Sequence, residues 1–251
     1  MRPPDVGVDA GRSMPLTRAG PLCWRAGMGW LLLAGGGSWR ANETGDVDAA
    51  ALGWADLDRP LAVLPTTGTS THEAEALLDY YADLGGPSGY VVPIFDAGGA
   101  QLRENCSLLQ EAGLIYLSDG PDALGLVRAL RMSPALEAIA RAFEDGAVIL
   151  AMGAGAAGLG DWAYDPGRDL DSDAEARPEP GFGWLPNVII APRFKGTAVA
   201  HHLRRLLNLK PNCLGIGIPE QTALCLGPTG DVENVGPGQV TVVVSGLEVE
   251  G

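Results

Sequence analysis

Residues 147–157 read AVILAMGAGAA, and this stretch decides the fold of the chain. An apolar run of strand length passes into small residues, which predicts a buried strand, a sharp turn and a helix. Hydrolases that hold a serine or cysteine on such a turn need small flanking residues, because only these let the backbone bend sharply. The apex here is Gly153, which has no side chain to attack a substrate. The sequence therefore predicts a nucleophile elbow that lacks its nucleophile.

The chain around this stretch alternates between strand-like and helix-like segments. Apolar segments of strand length lie at 30–34, 61–64, 89–95, 114–117, 146–151, 187–190, 213–218, 222–226 and 240–244. Helical patterns lie at 71–84, 101–112, 122–130, 134–144 and 196–208. Apolar strands separated by helices predict a three-layer α/β/α fold with a mostly parallel sheet. The closely spaced C-terminal strands are predicted to be antiparallel.

The N-terminal segment differs from the rest of the chain. Residues 1–28 hold four arginines against two aspartates, whereas the whole chain carries a net charge of −14. No periodic apolar face is visible there, and four prolines discourage one. We interpret 1–28 as a disordered tail or as the product of a start codon placed too early, with a targeting segment as the third alternative. Residues 29–251 are long enough for a single α/β domain.

Composition excludes several classes of function. The net charge of −14 disfavours a nucleic-acid partner, because little positive charge is present to neutralise a phosphate backbone. The cysteines Cys23, Cys106, Cys213 and Cys225 lie far apart, so neither a zinc site nor a disulfide scaffold is predicted. The longest apolar run, at 29–34, is too short to span a membrane. We expect a cytoplasmic protein without metal, cofactor, nucleic acid or membrane contact.

Two segments in the second half carry a resemblance to a known family. Residues 181–190 (GFGWLPNVII) are similar to a "GLGLLP" run and its following strand, and 214–224 (LGIGIPEQTAL) to a "GIGIDExTAL" segment. Residues 34–37 and 65–68 fit the first two strand ends. The chain thus resembles the cyanophycinase and dipeptidase E group of serine peptidases over about residues 29–245. The resemblance implies a class I glutamine amidotransferase-like fold with flavodoxin-like topology, and hydrolysis of peptide bonds that involve aspartate.

The resemblance also assigns the positions of the catalytic residues. The family elbow reads roughly G-x-S-A-G-A, and AMGAGA at 151–156 places Gly153 at the serine. The family strand that ends in D-x-H-F aligns with APRF at 191–194, which places Arg193 at the histidine. Both residues that would perform the peptidase chemistry are therefore substituted.

The remaining family positions are substituted except for one acid. A family loop that reads "GGDQ" and shapes the oxyanion site aligns with SDGP at 118–121, so none of its residues is kept. Glu220 stays where the family has its acid. The candidate pocket residues are Gly36, Ser118, Asp119, Gly153, Ala154, Arg193 and Glu220.

The substitutions conflict with acyl transfer to a serine, which needs a nucleophile, a base and oxyanion donors. Gly153 removes the nucleophile. Arg193 removes the base, because a guanidinium stays protonated and cannot accept a proton. Asp119, if it faces the site, brings negative charge toward a negatively charged transition state.

These departures predict a catalytically dead relative that binds a small anionic or aspartyl-peptide ligand, or a partner protein, in the former active site. Arg193 suits a carboxylate ligand, but it could instead pair with Glu220 or Asp119 and only neutralise the site.

Three alternatives stay open. The chain could be an active hydrolase of Asp-containing peptides with a relocated nucleophile at Ser118, although a base for it is lacking: His201 and His202 lie about 9 Å along their predicted helix. It could be an accessory subunit of a biosynthetic complex. The sequence also leaves a homodimer open.

The N-terminal interpretation gives a first prediction. A chain that starts at Met28 should melt at the same temperature as the full chain, because residues 1–27 have no periodic apolar face to bury. Thermal unfolding of both chains checks this. A drop of more than about 5 °C, roughly 1–2 kcal/mol in a domain of this size, would show that the segment packs on the domain.

Overall fold

Two β-sheets form the centre of the protein. The structure, a computed structural model, describes residues 28–66, 70–165 and 178–245. The larger sheet has the strand order β11-β10-β1-β5-β4-β2-β3 and the smaller one β12-β9-β8-β6-β7. The strands are β1 (Leu31–Ala34), β2 (Leu61–Leu64), β3 (Gly89–Val91), β4 (Leu114–Leu117), β5 (Val148–Met152), β6 (Gly160–Ala163), β7 (Glu179–Pro180), β8 (Leu185–Pro192), β9 (Leu214–Ile218), β10 (Ala223–Leu226), β11 (Val232–Val235) and β12 (Thr241–Val244).

Helices cover both faces of the larger sheet. The helices of the described residues are α1 (Gly45–Trp54), α2 (Thr71–Asp83), α3 (Arg103–Glu111), α4 (Ala123–Leu130), α5 (Pro134–Glu144), α6 (Ala154–Ala157) and α7 (Gly196–Leu209), with 3-10 turns at Trp39–Ala41 and Gly99–Gln101. Alternate residues of the central strands point to opposite faces: Ile149 packs with helices α3 to α5, whereas Leu150 packs with α1 and α2. This arrangement confirms the predicted three-layer α/β/α fold.

The parallel part of the larger sheet explains the flavodoxin-like resemblance. Strands β3-β2-β4-β5 are parallel and repeat the first four places of the flavodoxin order 2-1-3-4-5, while β1 takes the fifth place beside β5. Strand β10 pairs antiparallel with β1, and β11 antiparallel with β10. The prediction of antiparallel C-terminal strands is thus confirmed.

The smaller sheet was not predicted as a separate sheet. Strands β6, β8 and β9 are parallel, and β7 and β12 flank them antiparallel. Helix α7 covers this sheet through Leu203, Leu206 and Leu207, which pack on Ile189 and Ala191 of β8. The sequence predicted the strands at 187–190 and 213–218, but it did not indicate which strands they pair with.

Some elements escaped the sequence patterns, and some predictions lie outside the described residues. Helix α1 was missed because its sequence GDVDAAALGW has no clear apolar stripe, and β6 (GDWA) holds residues that are rare in strands. The N-terminal extension to residue 27, Thr67 and Gly68, and residues 166–177 lie outside the described residues.

The fold brings several loops to one edge of the larger sheet. The carboxyl ends of β1, β4 and β5 meet there, and backbone hydrogen bonds join them to the loops after β8 and β9. The Arg193 amide donates to the Gly35 carbonyl (2.9 Å), and the Gln221 amide donates to the Gly36 carbonyl (2.8 Å). Loops from both sheets therefore share one site.

A buried carboxylate joins helices α1 and α2 behind this edge. Asp48 is 1% exposed and accepts hydrogen bonds from Thr44 (2.7 Å), Tyr80 (2.9 Å) and Tyr81 (2.6 Å). Burial raises the pKa of Asp48 above its ordinary value, against the opposing effect of the three hydroxyl donors. Burial and the nearby Asp48 charge also raise the pKa of Tyr80 to about 12.

This raised pKa predicts a pH dependence of stability. The folded state binds the Asp48 proton more tightly than the unfolded chain does, so the contribution is fully present below the unfolded-state pKa of about 4. It is lost as the pH rises through the folded-state pKa. As the pH rises from acidic to neutral, the free energy of unfolding of wild type should therefore fall relative to that of Asp48→Asn. Urea unfolding measures both. Asp46→Asn, exposed on the same helix, is the control. Parallel pH profiles of wild type and Asp48→Asn would contradict this account.

Candidate functional site

Gly153 forms a sharp turn between β5 and α6. Its φ of +45° and ψ of −105° lie outside the regions that residues with a Cβ favour. The Gly153 amide donates to the Ala34 carbonyl at the end of β1 (2.9 Å). The sequence requirement for small residues at this turn thus has a structural reason.

Asp119 directs its carboxylate onto this turn from the loop after β4. Its Oδ1 accepts hydrogen bonds from the amides of Gly120 (2.8 Å) and Ala154 (2.9 Å). Its Oδ2 accepts a hydrogen bond from the Arg193 guanidinium. The Asp119 carbonyl oxygen accepts a bond from the Thr66 hydroxyl (3.0 Å), which fixes the loop. One carboxylate therefore bridges loops that follow three different strands.

This carboxylate fills the space of a side chain at position 153. A Cβ added to Gly153 would lie 2.2 Å from Oδ1, 2.4 Å from Cγ and 2.5 Å from Oδ2 of Asp119. Real Cβ atoms essentially never come within 3.0 Å of another heavy atom in this way. With Asp119 in this position, residue 153 has no room for a serine. The sequence placed Asp119 on the oxyanion side but gave no sign of this overlap.

Arg193 reaches the same point from the end of β8. Its φ is +51°, and its side chain pairs with Asp119 while its Nε lies 3.8 Å from Glu220 Oε1. The side chains of Arg193 and Asp119 are 43% and 22% exposed. Gly36, with a φ of +107°, leaves room for the pair: a Cβ there would lie 3.3 Å from Asp119 Oδ2 and 3.6 Å from Arg193 Cζ. Both acids that the sequence named as alternative partners of Arg193 thus lie beside it.

A pocket of about 360 Å³ opens next to this pair. Ser118, Asp119 and Arg193 line it, whereas Gly36, Gly153, Ala154 and Glu220 are not among its lining residues. The sequence analysis therefore named three of its lining residues.

The sequence analysis did not name four other residues of the pocket. Trp39, Arg40, Glu73 and Tyr116 also line it, and the Arg40 guanidinium lies 4.3 Å from the centre of the Trp39 ring. Arg40 follows the glycine turn after β1, and Glu73 lies in the first turn of α2 after β2. The sequence did hold a signal for both residues, because each follows a predicted parallel strand and the carboxyl ends of such strands meet at one edge of the sheet.

The histidines His72 and His202 and the thiol of Cys106 do not line the pocket. His202 is buried on α7, with its ring 5.3 Å from that of Tyr164, and His72 is exposed on α2. Cys106 packs against the core, and burial raises the pKa of its thiol. Within residues 28–66, 70–165 and 178–245, no cluster of side chains could hold a metal ion. In the same ranges, no helix has both the length and the apolar character that a membrane crossing requires.

Comparison with solved structures defines the class of fold. A peptidase from an acI-B1 actinobacterium aligns with a TM-score of 0.60 and 23% identity over 88% of this chain and 96% of its own. A putative peptidase E protein from Listeria monocytogenes aligns with a TM-score of 0.59 and 14% identity over 84% of this chain and all of its own (100%). The chain therefore has the three-layer α/β fold of these peptidases.

Comparison of sequences gives the more particular relationship. No protein-family model matches the chain. The cyanophycinase of Synechococcus elongatus is 27% identical over 191 residues, and that of Geminocystis herdmanii is 26% identical over 190 residues. Each match covers 74% of this chain; it covers 59% of the Synechococcus protein, so this chain spans less than two thirds of that relative. The resemblance to cyanophycinases and peptidase E-like proteins is confirmed.

The overlap of Asp119 with position 153 predicts an energetic coupling. Gly153→Ala should lower the free energy of unfolding by about 2–4 kcal/mol, since it adds a clash to an unfavourable backbone conformation. In an Asp119→Ala background the cost should fall by at least about 1 kcal/mol, because only the backbone contribution remains.

Denaturant unfolding of the four proteins in this double-mutant cycle measures the coupling. Gly85→Ala is the matched control, because Gly85 has a φ of +83° with no atom within 4 Å of an added Cβ. It reports the backbone cost without a clash. An equal cost of Gly153→Ala in both backgrounds would show that Asp119 does not restrict position 153.

Proposed function

We propose that this chain is a non-catalytic relative of the cyanophycinase-type peptidases that binds a small ligand in the pocket beside Asp119 and Arg193. The observation that carries the proposal is the position of the Asp119 carboxylate. It fills the space of a side chain at residue 153 and accepts a hydrogen bond from the Ala154 amide. Residue 153 thus has no side chain that could attack a substrate, and no space for one.

The contacts of Asp119 also disable the oxyanion site. In hydrolases with this strand-turn-helix arrangement, the amide after the nucleophile stabilises the oxyanion. The equivalent amide here is that of Ala154, and it donates to a carboxylate of the protein itself. A substrate carbonyl would have to approach this negative charge. Arg193 stands where the resemblance places the base, and a guanidinium cannot take a proton. The nucleophile and the base are therefore both substituted, and the amide that would stabilise the oxyanion is occupied by Asp119.

An active hydrolase with a relocated nucleophile is the alternative. Ser118 supports it, because the residue lines the pocket and is 6% exposed. Among the described residues, however, no histidine or lysine lines the pocket, and of its two carboxylates Asp119 is already bound to two amides and to Arg193, which leaves Glu73. A serine hydroxyl is a weak nucleophile at neutral pH unless a base takes its proton. The geometry therefore favours binding over hydrolysis.

The pairing of Arg193 bears on the ligand. A small anionic or aspartyl-peptide ligand at Arg193 has to compete with Asp119, which already contacts the guanidinium. This pairing supports the interpretation that Arg193 neutralises the site in the absence of ligand.

The proposal predicts no turnover by the purified protein. Aspartyl dipeptides and β-linked Asp-Arg should stay intact, because loss of a nucleophile or base costs on the order of 10⁶-fold in rate. Release of free amino groups, followed over hours with an active cyanophycinase as positive control, measures this. Turnover that Ser118→Ala abolishes would establish the alternative and overturn the proposal.

A further inference from the structure

The charges that line the pocket are balanced, although the chain as a whole is strongly acidic. Two cations, Arg40 and Arg193, face two anions, Glu73 and Asp119, in a protein of net charge −14. Within the described ranges, Arg40 and Glu73 form no ion pair, and both are exposed. A pocket for a simple cation or a simple anion would be expected to carry an excess of one sign. The balance points to a ligand that carries both.

The ion pair at the base of the pocket is held unequally. Two backbone amides, those of Gly120 and Ala154, fix Asp119 Oδ1, whereas Oδ2 is directed toward Arg193. Arg193 is a long side chain that is 43% exposed. The arginine can therefore swing away from the carboxylate while Asp119 stays in place. The pair can open without a change of backbone.

Opening the pair restricts the ligand that can enter. A ligand with only a carboxylate would take Arg193 and leave the 22%-exposed Asp119 carboxylate without its cation, which costs free energy. A ligand with only an ammonium group would take Asp119 and leave Arg193 with only its 3.8 Å contact to Glu220, which is exposed. A ligand that brings both charges on groups bonded to one carbon atom replaces both halves of the pair at once. The opposite charges of a free α-amino acid are close enough to contact two groups that touch each other.

We propose that the ligand is a free α-amino acid whose ammonium group binds Asp119 and whose carboxylate binds Arg193. This inference rests on the proposed non-catalytic function, because a ligand in this position contacts the groups that replace the catalytic ones.

Apolar and aromatic lining residues supply a surface for the amino-acid side chain. Trp39, Ala74, Leu77 and Tyr116 line the pocket together with the charged Arg40 and Glu73. The Trp39 ring lies 5.3 Å from that of Tyr80, and the Tyr116 ring lies 5.9 Å from that of Tyr81. Both supporting tyrosines donate hydrogen bonds to the buried Asp48. The wall is therefore set before a ligand arrives, which favours a neutral amino acid with an apolar side chain such as leucine.

Titration calorimetry of the full chain with leucine and two blocked derivatives tests the proposal. N-acetyl-leucine lacks the ammonium group and leucine amide lacks the carboxylate. Each should bind about tenfold more weakly than leucine or worse, because each loses one charge-assisted contact. Arg193→Gln should weaken leucine binding by about the same factor but leave leucine amide binding unchanged or tighter, because Asp119 no longer pairs with the guanidinium. Asp119→Asn should weaken leucine binding and leave N-acetyl-leucine binding unchanged or tighter.

A matched control separates the pocket from ion pairs in general. Arg128 pairs with Glu179 outside the pocket and is likewise exposed, so Arg128→Gln should change none of these affinities. Binding of either blocked derivative as tightly as leucine, or no binding of leucine, would overturn the amino-acid proposal. Leucine has no peptide bond, so that failure leaves the non-catalytic function standing. Hydrolysis of dipeptides by the wild type would instead overturn the proposed function itself.

Discussion

The Asp119 carboxylate holds the site together. It accepts hydrogen bonds from the amides after β4 and β5 and pairs with the arginine at the end of β8, so one side chain joins loops from both sheets. Each contact has a consequence for function. The bond from the Ala154 amide holds negative charge at the turn between β5 and α6, and the carboxylate itself occupies the space of a side chain at residue 153. The position of Asp119 thus requires glycine at residue 153.

Close backbone approach between the two sheets makes this arrangement possible. A Cβ on Gly35 would lie 1.9 Å from the Pro219 carbonyl oxygen, and the amides of Arg193 and Gln221 donate to the carbonyls of Gly35 and Gly36. Only glycine fits at such a contact. The glycine turn after β1 thus has a structural role, since it lets the loops after β8 and β9 reach the edge where β1, β4 and β5 end.

A second carboxylate, which is buried, supports residues of the pocket, and its chemistry differs from that of Asp119. Asp48 is surrounded by hydroxyl donors, and burial raises its pKa. It fixes Tyr80 and Tyr81, whose rings contact those of Trp39 and Tyr116 in the pocket wall. Asp119, by contrast, is open to the pocket and paired with a cation. One acid therefore orders the wall, and the other faces the pocket.

The sequence by itself determined many of the local elements and named several residues at this edge of the sheet. Strand β5 follows from its apolar run and helix α5 from the helical pattern at 134–144, because both signals depend on neighbouring residues. Gly153 and Arg193 could be read from motif positions. Only the tertiary structure decided that β8 pairs with β9 in a second sheet and that Asp119 fills the space beside Gly153. The reason is physical: strand partners and side-chain contacts join residues far apart in the chain, and no local period or spacing records which of them meet.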